Sequence, residues 1–118
     1  MPVMIRFLAL LVATASAIRV CGAQPQAKVE TQKVVFENPY VRVIEERVPP
    51  GVGQPKHRHA RGILVPLAST TIEAVDYPEG RVAQRELKFG EAGWRDPVVH
   101  AVRNIGQMEL LNIRVELR

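Results

Sequence analysis

The stretch Met108-Glu109-Leu110-Leu111-Asn112-Ile113-Arg114-Val115-Glu116-Leu117-Arg118 alternates apolar and polar residues over most of its length. Leu111, Ile113, Val115 and Leu117 fall on one side of an extended chain, and Asn112, Arg114, Glu116 and Arg118 on the other. Successive side chains of a β-strand point to opposite faces. The pattern therefore predicts a strand with a dry aliphatic face and a wet polar one. Working outward, runs rich in β-branched residues recur at 33–36, 41–48, 62–67, 70–76, 82–89 and 98–103. Turn-forming clusters separate them: Asn38-Pro39, Pro49-Pro50-Gly51-Val52-Gly53, Tyr77-Pro78-Glu79-Gly80 and Asn104-Ile105-Gly106. No sustained helical stripe interrupts the series. Many short strands with regularly spaced turns predict an all-β sandwich or barrel.

The chain has 118 residues, 47% hydrophobic and 24% charged, which suits one folded domain rather than a disordered chain. Its single cysteine, Cys21, excludes an internal disulfide and a Cys-rich zinc site. The first residues differ from the rest. Arg6 precedes the apolar run Phe7-Leu8-Ala9-Leu10-Leu11-Val12-Ala13, and Ala15-Ser16-Ala17 supplies a small-x-small site. This is the layout of a secretory signal peptide over 1–23, cut after Ala17 or Ala23. A membrane span needs ~20 apolar residues, and this run is too short. A polar leader is expected over 24–33 and a single domain over 34–118, in a secreted or periplasmic protein.

The net charge of +4 and pI near 9.7 suggest a nucleic-acid or membrane partner, but the positions of the charges argue otherwise. Arg6 and Arg19 lie in the leader, and most other basic residues are interspersed with acids. Only Lys56, Arg58 and Arg61 cluster, which points to a local anion-attracting mouth. Neither a Gly-x-Ser-x-Gly elbow nor a glycine-rich phosphate loop occurs. Glu45 and Glu46 are adjacent in a predicted strand, so they face opposite ways and cannot act as an acid–base pair.

The three histidines are His57, His59 and His100. In a strand His57 and His59 share a face, with Cα atoms roughly 6.5 Å apart. His100 lies in Val98-Val99-His100-Ala101-Val102, and a closed sheet brings an inward His100 to the first pair. Three neutral imidazoles suit Zn, Fe, Ni, Cu or Mn with positions left open. Taken singly, each histidine reads equally as a hydrogen-bonded core or surface group.

The segment Gly51-Val52-Gly53-Gln54-Pro55-Lys56-His57-Arg58-His59 resembles the first cupin motif, and His100-Ala101-Val102-Arg103-Asn104 resembles the end of the second. The resemblance spans nearly all of 34–117 and implies a small jelly-roll β-barrel of two antiparallel sheets. It also implies that His57, His59 and His100 are the metal positions, that a small molecule is bound or transformed, and that the chain forms a homodimer. Dioxygenase, isomerase or lyase chemistry is what the family implies if the protein is an enzyme. The glutamate expected three or four residues after the second histidine is absent, with Ile63 and Leu64 in its place. A site without that carboxylate favours imidazole-loving Zn, Cu or Ni over harder ions. The competing reading is a metal-free cupin that binds a ligand or serves in the envelope without catalysis. Arg61, Tyr77 and Trp94 are candidate ligand contacts; Arg61 shares strand parity with His57 and His59 and is expected to point inward. Gln54 and Asp96 lie at turns near the motifs.

Overall fold

The computed structural model describes residues 28–118, so the signal peptide expected over 1–23 lies outside the described residues. Among the described residues nine strands follow one another: β1 (Gln32–Glu37), β2 (Val41–Val48), β3 (Gly53–His59), β4 (Gly62–Pro66), β5 (Thr70–Asp76), β6 (Arg81–Leu87), β7 (Gly93–Arg95), β8 (Val98–Asn104) and β9 (Leu110–Leu117). All pair antiparallel, in a five-stranded sheet ordered β1-β2-β9-β4-β7 and a four-stranded sheet ordered β3-β8-β5-β6. This is the expected all-β jelly roll. No helix among the described residues is long and apolar enough to cross a membrane. Two strands were not anticipated as such: β3 begins inside a Pro/Gly-rich stretch, and β7 is only three residues long.

Local chemistry sets the turns. The Asn38 side chain accepts hydrogen bonds from the backbone N–H groups of Tyr40 and Val41, both at 2.8 Å, and so turns β1 into β2. Gly62 lies where β4 meets β9, and a Cβ there would overlap the Val115 carbonyl. Only glycine permits that approach.

The apolar core joins the two sheets through Val48, Leu64, Ile72, Ala74, Leu87, Val102 and Leu110. Fully burying each large aliphatic side chain is worth ~1.5–3 kcal/mol. Asn104 at the end of β8 is completely buried beside this core. Its Nδ2 donates to the carbonyls of Val48 (2.9 Å) and Met108 (2.8 Å). Its Oδ1 accepts from Thr70 Oγ1 (2.9 Å) and the Gly106 N–H (3.1 Å). Its polar capacity is thereby met, so burial carries no unpaired-group cost.

The two faces of β9 are the reverse of the expectation. Leu110, Asn112, Arg114 and Glu116 are buried, whereas Leu111, Ile113 and Val115 are half-buried on the outside and Leu117 is exposed. The alternation correctly marks a strand, but the polar face is the inner one.

Candidate metal centre and adjoining cavity

A bulge in β3 shapes this site. Gln54 pairs with Val102 and His57 with His100, so three steps along β3 match two along β8. The extra residue falls at Pro55-Lys56, on an edge strand where a proline lacking an N–H is tolerated. It shifts strand parity. Gln54 therefore faces inward together with His59, despite the odd spacing between them.

The bulge also frees the Pro55 carbonyl to accept a hydrogen bond from His57 Nδ1 at 2.7 Å. His59 Nδ1 lies 2.6 Å from Glu116 Oε1, with both side chains buried. A carbonyl and a carboxylate are acceptors, so each Nδ1 carries the proton and each Nε2 presents a lone pair. Those two Nε2 atoms are 3.0 Å apart, and His100 Nε2 is 3.1 Å from that of His57. The three rings, with centroids 4.7 to 5.4 Å apart and steeply inclined to one another, converge on one point. Metal–nitrogen bonds of ~2.0–2.1 Å separate neighbouring ligand nitrogens by roughly 3.0–3.4 Å. The two spacings about His57 fit that requirement, all three ligand atoms lie within 4.8 Å of one another, and no other such group of three potential ligands occurs among the described residues.

Burial, reinforced by the Arg114 charge, lowers the His59 pKa to about 4, with Glu46 opposing. Burial and then the neighbouring His57 and His59 lower that of His100 to about 3. Both rings are thus neutral near pH 7, the form that ligates metal.

Two carboxylates reach this centre from strands outside the histidine motifs. Glu116 of β9 orients His59, as described. Glu46 of β2 is buried, with Oε1 2.8 Å from Arg114 Nε and 3.7 Å from His59 Nε2. Sequence reading missed both. The available signals were a glutamate in the valine-rich β2 and the polar alternation of β9, which was assigned to solvent.

Next to His100 the barrel encloses a cavity of about 400 Å³, bounded below by Leu64, Ile72 and Val102 and lined on its polar side by Gln54, Asn112 and Arg114. Solved structures with the same architecture include a cupin domain from Bordetella pertussis, 29% identical, with a TM-score of 0.67, covering 74% of this chain and 91% of that one. A cupin-family protein with a double-stranded β-helix from Methanocaldococcus jannaschii is 17% identical (TM-score 0.59; 80% and 84% covered). A double-stranded β-helix protein from Klebsiella pneumoniae is 22% identical (TM-score 0.58; 78% and 79% covered). The chain has the cupin fold. No protein-family model matches it, and neither does any curated protein.

Within the cupin barrel the other candidates separate. Trp94 is half-exposed at the cavity rim, where its Nε1 donates to Asp96 Oδ1 at 3.0 Å. Arg61 is exposed in the β3–β4 turn, because β3 ends at His59 and its parity does not carry through the turn. With Tyr77 and His59 it lines a second, more open groove, and the Tyr77 ring lies 4.5 Å beneath Lys56 Nζ. Gln54 is inside the cavity rather than at its edge.

Proposed function

We propose that this cupin is an exported protein that holds one divalent transition metal through His57, His59 and His100 and binds or transforms a small, anionic molecule in the adjoining cavity. The convergence of three Nε2 atoms carries the reading. Two lone pairs facing each other at 3.0 Å repel unless a cation lies between them, and their Nδ1 partners fix that orientation. An ion held by three imidazoles, with positions left open, supplies Lewis-acid polarisation of a ligand oxygen or acidifies a bound water. The donor set, all nitrogen with carboxylates outside it, suits zinc, copper, nickel or iron better than magnesium. The chain's own contribution is to fix the His57 and His59 rings, keep His59 and His100 neutral and wall the cavity with apolar side chains. Export rests on the leader sequence alone.

Protein purified without chelators is expected to carry about one equivalent of transition metal per chain, lost in the His57→Ala, His59→Ala double variant. Absence of metal, together with no rise in thermal stability on adding zinc, nickel or iron, overturns the reading. One observation favours a metal-free ligand-binding role instead: Ile63 and Leu64 replace the motif carboxylate, and the nearby Glu46 is engaged by Arg114. In that case the triple His→Ala variant keeps its ligand binding. The exposed Val34, Val35 and Phe36 of edge strand β1 support a homodimer, which a monomer by light scattering at micromolar concentration excludes.

A further inference from the structure

Gln54 is 4% exposed, yet neither its Nε2 nor its Oε1 finds a partner in the protein. Asn112, 3% exposed, leaves its Oδ1 unpaired as well. Both line the cavity beside His100. An unpaired buried polar group costs ~1–3 kcal/mol, so two such amides facing one hollow mark a place where a partner is expected. Together they offer an amide NH2 donor group and two oxygen acceptors, the complement of a hydroxyl group, which both donates and accepts.

The outer part of the cavity has a different unmet need. Three arginines line it, and two are neutralised: Arg114 by Glu46 at 2.8 Å and Arg85 by Asp76 at 3.1 Å. Arg95 has no carboxylate within 4 Å among the described residues; its Nη1 donates only to the Trp94 carbonyl. It is half-buried, and burial and the like charges of Arg114 and Arg85 lower its pKa, with Glu91 opposing. An incoming anion relieves that repulsion, and the planar guanidinium matches a carboxylate. Leu64, Leu87 and Leu110 add apolar surface to the same lining.

We propose that this cavity binds a small carboxylic acid with an apolar body and a hydroxyl at its far end, Arg95 receiving the carboxylate and the Gln54 and Asn112 amides the hydroxyl. The proposal rests on the preceding reading for a small-molecule role of the barrel and is independent of the metal. A volume of about 400 Å³ accommodates a compound of the size of 4-hydroxyphenylacetate.

The test is calorimetric titration of the full chain, with and without bound zinc, using 4-hydroxyphenylacetate and 6-hydroxyhexanoate. Phenylacetate and hexanoate, which lack the hydroxyl, and methyl 4-hydroxyphenylacetate, which lacks the charge, are the comparators. At least one hydroxy acid is expected to bind saturably and ten-fold or more tighter than its comparators. Arg95→Ala is expected to weaken the hydroxylated and plain acids alike by ten-fold or more. Gln54→Leu is expected to weaken only the hydroxy acid, erasing the preference, and to leave the ligand-free protein no less stable. Asn112→Leu provides a second, independent variant with the same expected selectivity. No saturable binding of either hydroxy acid at 10-millimolar concentration overturns the proposal, as does a preference that survives both Gln54→Leu and Asn112→Leu; the amides then serve ordered water only. Zinc binding is measured separately on the same samples. Metal without acid binding refutes this inference alone, and acid binding without metal refutes the metal reading alone.

Discussion

Replacing Glu116 with leucine tests whether the centre depends on a residue outside the histidine motifs. In the parent, the carboxylate receives the His59 Nδ1–H at 2.6 Å, with side chains 1% and 7% exposed. The bond holds the ring in its tautomer and makes Nε2 more basic. Partners of this kind are worth 10–100-fold in metal affinity, about 1.4–2.7 kcal/mol. The leucine variant is therefore expected to raise the zinc Kd by that factor. Glu116→Gln keeps an acceptor oxygen but not the charge, so its loss should stay within about ten-fold. The assay is competition against a chromophoric chelator at constant pH and ionic strength. Losing the acceptor also strands a buried N–H, at ~1–3 kcal/mol, so urea unfolding of the metal-free variants is measured alongside. A leucine variant that folds and binds zinc as tightly as the parent refutes the orienting role.

Glu46→Leu leaves the Arg114 charge buried and unpaired and is expected to cost about 3–5 kcal/mol in urea unfolding, whereas adding Arg114→Met restores most of it; equal losses in both variants contradict a buried pair. Asn104→Leu removes four hydrogen bonds of a buried side chain, roughly 4 kcal/mol in all, and is expected to leave metal stoichiometry unchanged at the temperature where it folds. For pH, the His59 and His100 pKa values are lowered in the folded protein, to about 4 and about 3. The unfolded chain takes up protons below ~6.5 that the folded chain refuses, so the metal-free protein loses stability as pH falls from about 6.5 toward 4. A urea midpoint that is flat or rises over that window contradicts neutral buried imidazoles.

The strand succession and the three histidines were legible in the sequence because each rests on local information. Alternation marks an extended segment, and His-x-His places two rings on one face of it. Which face of β9 lies inside was not legible. Alternation divides a strand into two sides, and the usual preference of aliphatic groups for the interior assigned Leu111, Ile113 and Val115 there. In this barrel the interior end near the histidines is polar, and Asn112, Arg114 and Glu116 occupy it. Glu46 and Glu116 escaped notice for the same reason, since they come from strands 11 and 57 residues from His57 and His59, respectively. Parity failed at Arg61, which a tight turn left outward, and Gln54, read as a turn residue, was carried inward by a bulge; neither event has a reliable mark in the residues alone.

The extra residue at Pro55-Lys56 makes β3 change phase partway along its length. The part before it turns the even-numbered Gln54 to the cavity, and the part after it turns the odd-numbered His57 and His59 to the metal centre. Ligand reading and imidazole placement thus share one continuous strand while belonging to separate frames. Removing Lys56 would merge the frames, turning either Gln54 or the histidine pair out of the barrel. A single deletion would then separate the two chemistries without altering any residue that performs them.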